Sequence, residues 1–260
     1  MLLSAEHISK NYGMKQLLQD VSLYLSEKEK IGILGVNGMG KSTLLNIIAG
    51  KLAPDSGIVD VGSTVKIGYF MQECGELPMD RRVYDFISDI SSEIKTNEGT
   101  FSASQMLERF LFTSDLQYTT IVRLSGGERR RLYLLSILME APNILLLDEP
   151  TNDLDIETLT ILEDYLESFP GAVIAVSHDR YFLDKMAAYI FEVSEDGKIT
   201  SYMGNYSDYS DKKSQEQPAL TAKKAVEATA PKAEAVQKPK KLKFTFKEQY
   251  EFESIDEVIA

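Results

Sequence analysis

The sequence predicts an α/β domain built around a mostly parallel sheet, and three observations carry that prediction. Ile144–Leu147 and Ala172–Val176 are short, wholly apolar segments of the kind that form strands buried on both faces. Between them, Ile156–Phe169 places Leu159, Leu162, Leu166 and Phe169 on one helical face. A third apolar segment, Glu29 to Gly35, runs through a glycine-rich turn into a helix that begins at Lys41. Strand, helix, strand in this order requires parallel pairing with a crossover helix.

Each element follows from local chemistry. Glu29–Gly35 reads as a short buried strand. Lys41 to Gly50 carries Leu44, Leu45, Ile47 and Ile48 on its apolar side, and Gly50 stops it. Lys66–Met71 reads as another strand. Arg129 to Met139 reads as a helix that follows Leu124-Ser-Gly-Gly-Glu128, with Ser125 as its N-cap. The run Arg129–Arg131 is expected to face solvent or a ribose at the start of that helix.

Composition bounds the function. The chain has 260 residues and is 43% hydrophobic, enough for a sizeable core. Its net charge of −12 argues against coating nucleic acid or an anionic membrane by bulk charge. The single cysteine, Cys74, excludes an internal disulfide and fits a reducing, cytoplasmic compartment. No apolar run approaches the length of a membrane span, so no membrane insertion is expected. The opening MLLSAEHISK does not read as a signal peptide.

Charge also divides the chain. Residues 1–211 are strongly acidic and read as one domain. Residues 212–243 carry a net +6 on a Lys/Ala/Pro-rich stretch with few large apolar residues, and read as a flexible linker. In residues 244–260, Thr245 and Glu248 form a capping-box pattern, and Phe252, Ile255 and Ile259 recur at helical spacing. That tail reads as the start of a C-terminal coiled-coil helix. It reaches Ala260 without a stop signal, which suggests a piece of a longer protein.

The motifs supply chemistry. Gly35-Val36-Asn37-Gly38-Met39-Gly40-Lys41-Ser42, followed by Thr43, has the P-loop pattern in its required place between strand and helix. Its glycines let backbone N–H groups converge on an anion, and the helix N-terminus adds positive partial charge. Lys41 reaches phosphates, and the Ser42 hydroxyl suits Mg²⁺. Ile144–Leu147 ends in Asp148 and Glu149, which puts two acids at the carboxyl edge of a buried strand, where open α/β sheets bind ligands. Asp148 suits Mg²⁺ and Glu149 suits polarising a water. Of the two histidines, His178 follows a strand end, and His7 has no motif around it. No His/Cys cluster suggests zinc.

P-loop, LSGG, apolar strand with Asp-Glu, then His, in this order, resembles the nucleotide-binding domain of ATP-binding-cassette (ABC) ATPases. The resemblance implies the P-loop NTPase fold of the ABC type, a mixed sheet with a parallel core plus a helical subdomain. It implies a Mg-dependent ATPase with ATP and Mg as cofactors. Glu149, His178 and Gln72 take the catalytic roles of the family, and Ser42, Gln72 and Asp148 hold the metal. Tyr12 matches the aromatic that stacks on adenine, although a Tyr before a Gly is by itself an ordinary turn aromatic. Ser125, Gly126 and Gly127 serve the ATP of an opposed cassette, so the implied partner is a second cassette, in the same chain or as a homodimer.

Finer details resemble the ABC-F branch: Glu128 ending the signature, Thr151-Asn152-Asp153-Leu154-Asp155, Ser177-His-Asp-Arg-Tyr-Phe-Leu183, and Tyr202-Met-Gly-Asn205-Tyr206-Ser-Asp-Tyr209. Gln72 and Leu124 stand too close for the inserted arm of a first cassette. The Lys-rich stretch and the helix start after it resemble the segment beyond the second cassette in the Uup-like subgroup. That branch implies action on the ribosome and its rRNA in the cytoplasm. The alternatives are the motor subunit of an ABC transporter, and a DNA-binding ATPase acting through the linker and coil. One cassette is present where the branch carries two, and a lone cassette is expected to hydrolyse ATP slowly.

Overall fold

A computed structural model describes residues 1–72, 75–96 and 99–215. Cys74, the linker from residue 216 onward, and the expected helix with Thr245 and Glu248 lie outside the described residues.

The chain opens with a hairpin, β1 (Leu3–Tyr12) and β2 (Lys15–Leu25), and then enters β3 (Lys30–Leu34). The glycine-rich turn comes next, then α1 (Lys41–Ile48), β4 (Ser56–Val61) and β5 (Ile67–Phe70). A mostly helical section continues the chain: α2 (Val83–Ile90), the small hairpin β6 (Glu93–Thr96) and β7 (Gly99–Ser102), α3 (Ala103–Arg109) and α4 (Ser114–Gln117). The long α5 (Gly126–Met139) returns the chain to the sheet at β8 (Ile144–Asp148). The remainder is α6 (Pro150–Asp153), α7 (Ile156–Ser168), β9 (Ala172–Val176), α8 (Arg180–Met186), β10 (Tyr189–Val193), β11 (Ile199–Met203) and a last helix, α9, over residues 206–215.

The central sheet has six strands in the order β11-β10-β3-β9-β8-β5. All its neighbours pair parallel except the β10–β11 edge hairpin. A second sheet, β2-β1-β4, is antiparallel. Every residue of β8 and β9 is buried, as a strand covered on both faces requires. Alternation along β8 sends Leu145 and Leu147 into the core shared with the helical section. It sends Ile144 and Leu146 into the core shared with α1 and the antiparallel sheet. The central sheet is therefore the wall between two cores, and its carboxyl edge is where loops from both meet.

Two readings change. The three arginines do not all face solvent: Arg130 and Arg131 are buried. The Arg130 guanidinium lies 3.9 Å over the Phe70 ring and donates to Met71 O at 2.5 Å. Arg131 sits 5.2 Å over Phe112 and within reach of Asp155 and Thr158. A guanidinium is planar and weakly hydrated, so aromatic faces can take it out of water where an ammonium would resist. The second change is at the carboxyl end. Helix α9 continues to residue 215, past the composition boundary at 211.

Local contacts account for that extension. Asn205 and Asp208 cap α9 reciprocally, each accepting the other's backbone N–H at 3.0–3.1 Å. Tyr209 is buried edge-on to Tyr202, with ring centroids 5.0 Å apart. Lys213 donates to Tyr209 Oη at 2.9 Å and pairs with Glu192 of β10. The Tyr-rich motif is thus a clamp that holds α9 on the sheet edge. Tyr209→Ala is expected to cost about 3 kcal/mol in urea denaturation, the usual range for emptying a buried aromatic site. A loss below about 1 kcal/mol would show that α9 is not clamped there.

Candidate functional site

The glycine-rich turn starts where β3 ends and stops where α1 begins. Gly40 is the N-cap of α1 with φ +91°, and a Cβ there would come within 3.0 Å of Leu17 O. Both facts demand glycine. Gly38, Gly40, Lys41, Ser42 and Thr43 wall one side of a cavity of about 310 Å³, with Asn37 at its rim. Asp148, Glu149, Gln72 and His178 close the other side. Gly35, Val36 and Met39 instead line a neighbouring cavity of about 470 Å³ beneath the turn, which shares His178.

Lys41 is only 7% exposed. Its ammonium donates to Gly35 O at 2.6 Å and lies 3.3 Å from His178 Nε2. Burial lowers its pKa from the usual lysine value, and the carboxylates of Glu149 and Asp148 oppose that shift. Asp148 is 4% exposed. Burial raises its pKa, against the Ser42 hydroxyl, the Tyr69 hydroxyl and the charges of Lys41 and Arg130. Tyr69 Oη reaches one Asp148 oxygen at 3.5 Å, and the other, Oδ1, is buried without a hydrogen-bond partner. An orphaned buried carboxylate oxygen is costly. With the Ser42 hydroxyl and the Gln72 amide lining the same cavity, it forms a hard oxygen donor set of the kind Mg²⁺ takes alongside phosphates.

Glu149 holds a left-handed backbone, φ 50° and ψ 53°, which costs a non-glycine residue on the order of 1–2 kcal/mol. Its N–H donates to Val176 O at 2.9 Å, so the chain leaves β8 tied to β9. That turn lets the carboxylate meet His178: the His178 N–H donates to Oε2 at 3.3 Å, and Nε2 is 3.2 Å from Oε1. Nε2 also lies 2.9 Å from Asn37 Oδ1. Nε2 thus faces the Asn37 and Glu149 oxygens and the Lys41 ammonium at once.

Other expected residues lie elsewhere. Tyr12 ends β1, is 56% exposed and is not on the cavity wall. Ser125, Gly126 and Gly127 begin α5 and are exposed away from the cavity. Ser125 and Glu128 make a capping box, Glu128 N–H to Ser125 Oγ at 3.2 Å and Ser125 N–H to Glu128 Oε2 at 2.7 Å. Those hydrogen bonds from Ser125 hold the Glu128 carboxyl below its usual pKa. A Cβ at Gly126 or Gly127 would meet nothing within 4 Å, so internal packing does not require glycine at either place. His7 is exposed and pairs with Asp20 at 2.6 Å.

Sequence reasoning did not find Asn152, which lines the cavity, or Arg130, whose bond to Met71 O fixes the strand end that carries Gln72. Asn152 stood inside the Thr151–Asp155 motif without a role. Arg130 was hidden in a charge run that reads as surface.

Residues 18–152 match the protein family described as ABC transporter. Over its whole length the chain is 45% identical to an uncharacterized ABC transporter ATP-binding protein, YfmR, of Bacillus subtilis, covering 41% of that protein. It is 39% identical to the ATP-binding protein Uup of Escherichia coli, over 94% of this chain and 39% of Uup. It is 38% identical to the energy-dependent translational throttle protein EttA of Haemophilus influenzae, over 80% of this chain and 37% of EttA. The chain thus spans about two fifths of the length of these relatives. Among solved structures, the ATP-binding cassette MJ0796, in a dimeric post-hydrolysis state with ADP and Pi, superposes with a TM-score of 0.62 at 24% identity, over 78% of this chain and 98% of that one. That likeness concerns the fold.

The raised pKa of Asp148 has a definite sign. The folded state binds this proton more tightly than the unfolded state, so the group lowers stability as pH rises through its unfolded value of 3.8, until the folded carboxyl has also ionised. Asp148→Asn is expected to remove that slope and to make the ligand-free protein more stable than wild type at pH 8. Paired urea titrations at pH 5 and pH 8 check it, and a variant less stable than wild type at pH 8 contradicts it.

Proposed function

This chain belongs to the ABC transporter family, and on that footing we propose that it binds ATP with Mg²⁺ and hydrolyses it as a cassette of an ABC-F-type protein working on the ribosome. The observation that carries the reading is the cavity itself. It joins the P-loop N–H groups and a buried lysine to two buried carboxylates across the sheet edge.

The chemistry follows from the geometry. Lys41 now satisfies its ammonium on loop carbonyls, and a triphosphate seated on the loop offers it better, charged acceptors. Asp148, Ser42 and Gln72 would hold Mg²⁺, which when bound neutralises charge on the β- and γ-phosphates. Glu149 accepts a hydrogen bond from the attacking water and aims it at the γ-phosphorus. The water oxygen bonds to phosphorus as the bridging bond to ADP breaks, and the water's protons pass to Glu149 and the released phosphate. His178, between Asn37 and Glu149, contacts the γ-phosphate and steadies the transition state. Positioning and charge stabilisation supply most of the rate in such transfers.

The exposed Ser125–Gly127 turn supports a second cassette as partner, because it begins a helix and a Cβ at Gly126 or Gly127 would meet nothing of this chain. The ribosome is supported by a relative whose name describes a translational throttle. No helix among the described residues is long and apolar enough to cross a membrane. A transporter motor would need its membrane subunit in another chain, and the ABC-F-like motifs around Glu128, Asn152 and His178 favour the ribosome. Work on the ribosome would put the activity in the cytoplasm.

Glu149→Gln is expected to keep nucleotide affinity within about threefold and to lower turnover by at least 100-fold, the scale of losing a general base. Lys41→Ala is expected to abolish binding. Calorimetry and phosphate release measure both, and unchanged hydrolysis in Glu149→Gln removes Glu149 from its role. Wild-type specific activity is expected to rise with protein concentration if two chains pair. The Glu149→Gln protein is expected to sediment with ribosomes only when ATP is present. Recovery with a membrane subunit instead favours the motor reading.

A further inference from the structure

The cavity wall supplies less positive charge than its proposed ligand needs. Lys41 is the permanent cation among its lining residues, set against the carboxylates of Asp148 and Glu149. A nucleoside triphosphate stays anionic even with one divalent cation bound. Other cations near this edge are engaged elsewhere. Arg130 lies on Phe70 and Met71 O, and the Lys51 ammonium lies 5.0 Å over the Tyr69 ring and 3.0 Å from Met71 Sδ. Arg180 lies over Tyr206.

Lys15 differs. It is the first residue of β2 and is exposed, yet its ammonium donates to Gly38 O at 2.8 Å. Gly38 is on the cavity wall, with φ +77°, and a Cβ there would stand 3.7 Å from Lys15 Nζ. The ammonium therefore sits against a residue of the turn that lines the cavity. Among the described residues it has no carboxylate partner, so its charge is balanced only by a neutral carbonyl. Lys15 is also paired in register with Tyr12, so this bond ties the tip of the β1–β2 hairpin to the P-loop.

We propose that Lys15 is a second phosphate-binding cation of this site. This rests on the nucleotide-binding reading above. With a triphosphate seated, the four-carbon stem lets Nζ turn from the Gly38 carbonyl to the phosphate oxygens beside it, a charged acceptor in place of a neutral one. The same movement draws the hairpin tip over the nucleotide. The contribution is to binding, because the Lys15 ammonium is held on the P-loop at Gly38 and not on the Glu149 carboxylate.

Calorimetric titration of MgATP and of adenosine into wild type, Lys15→Ala, Lys15→Met, Lys15→Arg and Lys41→Ala tests it. Lys15→Met keeps the stem and removes the charge. Lys15→Ala and Lys15→Met are expected to weaken MgATP five- to tenfold, Lys15→Arg to stay within about twofold of wild type, and adenosine to be unaffected throughout. The loss of affinity is expected to shrink as salt is raised. If Lys41→Ala loses MgATP while Lys15→Met binds like wild type, the role of Lys15 is overturned and the nucleotide site stands. If Lys15→Arg is as weak as Lys15→Ala, charge is not what matters and the proposal also fails. If wild type takes up no MgATP, the site reading itself fails.

Discussion

One constraint organises this molecule: an ammonium and two carboxylates are kept out of water at one sheet edge, and the fold leaves one oxygen among them without a hydrogen-bond partner. Lys41 is held by neutral groups, the Gly35 carbonyl, Asn37 and His178, and one oxygen of Asp148 has no hydrogen-bond partner. Glu149 is held in a strained left-handed turn. Burying charge without full pairing costs stability, so such an arrangement persists where a ligand completes it. The scaffold fits that purpose. β8 and β9 are buried along their whole length, which makes their carboxyl ends rigid. The Glu149 N–H to Val176 O bond fixes the point where the two strands diverge.

How much of this was legible in the sequence depends on how an element buries itself. Strands covered on both faces announce themselves as apolar runs, so β3, β8 and β9 could be placed within a residue or two, and α1 and α7 followed from their apolar stripes. The antiparallel sheet β2-β1-β4 was not legible. Its strands mix exposed and buried residues, and its register shifts around His7 and Asp20, both at positive φ, break the two-residue alternation. The polar half of the site was legible because phosphate binding demands glycines, a lysine and a hydroxyl at fixed spacing. Arg130 and Arg131 were not, because a charge run carries no sign of the Phe70 and Phe112 faces that receive it. Those rings come from segments about 20 to 60 residues away in the chain.

The start of α5 shows how one sequence feature can serve two ends. Ser125 and Glu128 cap the helix reciprocally, which is a sufficient local reason for a serine and a glutamate three residues apart. The glycines between them are a different matter. Neither has a neighbour that would exclude a side chain, and Gly is a poor choice in a helix's first turn on propensity alone. The capping box thus accounts for the stability of the turn, and the two glycines leave its N–H groups open to close approach from outside.

The charge of the chain bears on what it can approach. Residues 1–211 hold 18 basic and 32 acidic side chains, yet the proposed ligand is a polyanion. There is no contradiction, because the Debye length at physiological salt is about 8 Å, and within that radius the P-loop presents N–H donors, a helix N-terminus and Lys41. Asp148 and Glu149 are the acids on the cavity wall, and in the proposed chemistry they would meet a divalent cation and a water. A macromolecular partner sees the surface at longer range. RNA approached by a body this acidic is repelled unless contact is confined to local basic patches or is led by the +6 charge of residues 212–243. Nucleotide recognition here is therefore a short-range matter that net charge does not govern, and choice of partner is the step where net charge acts.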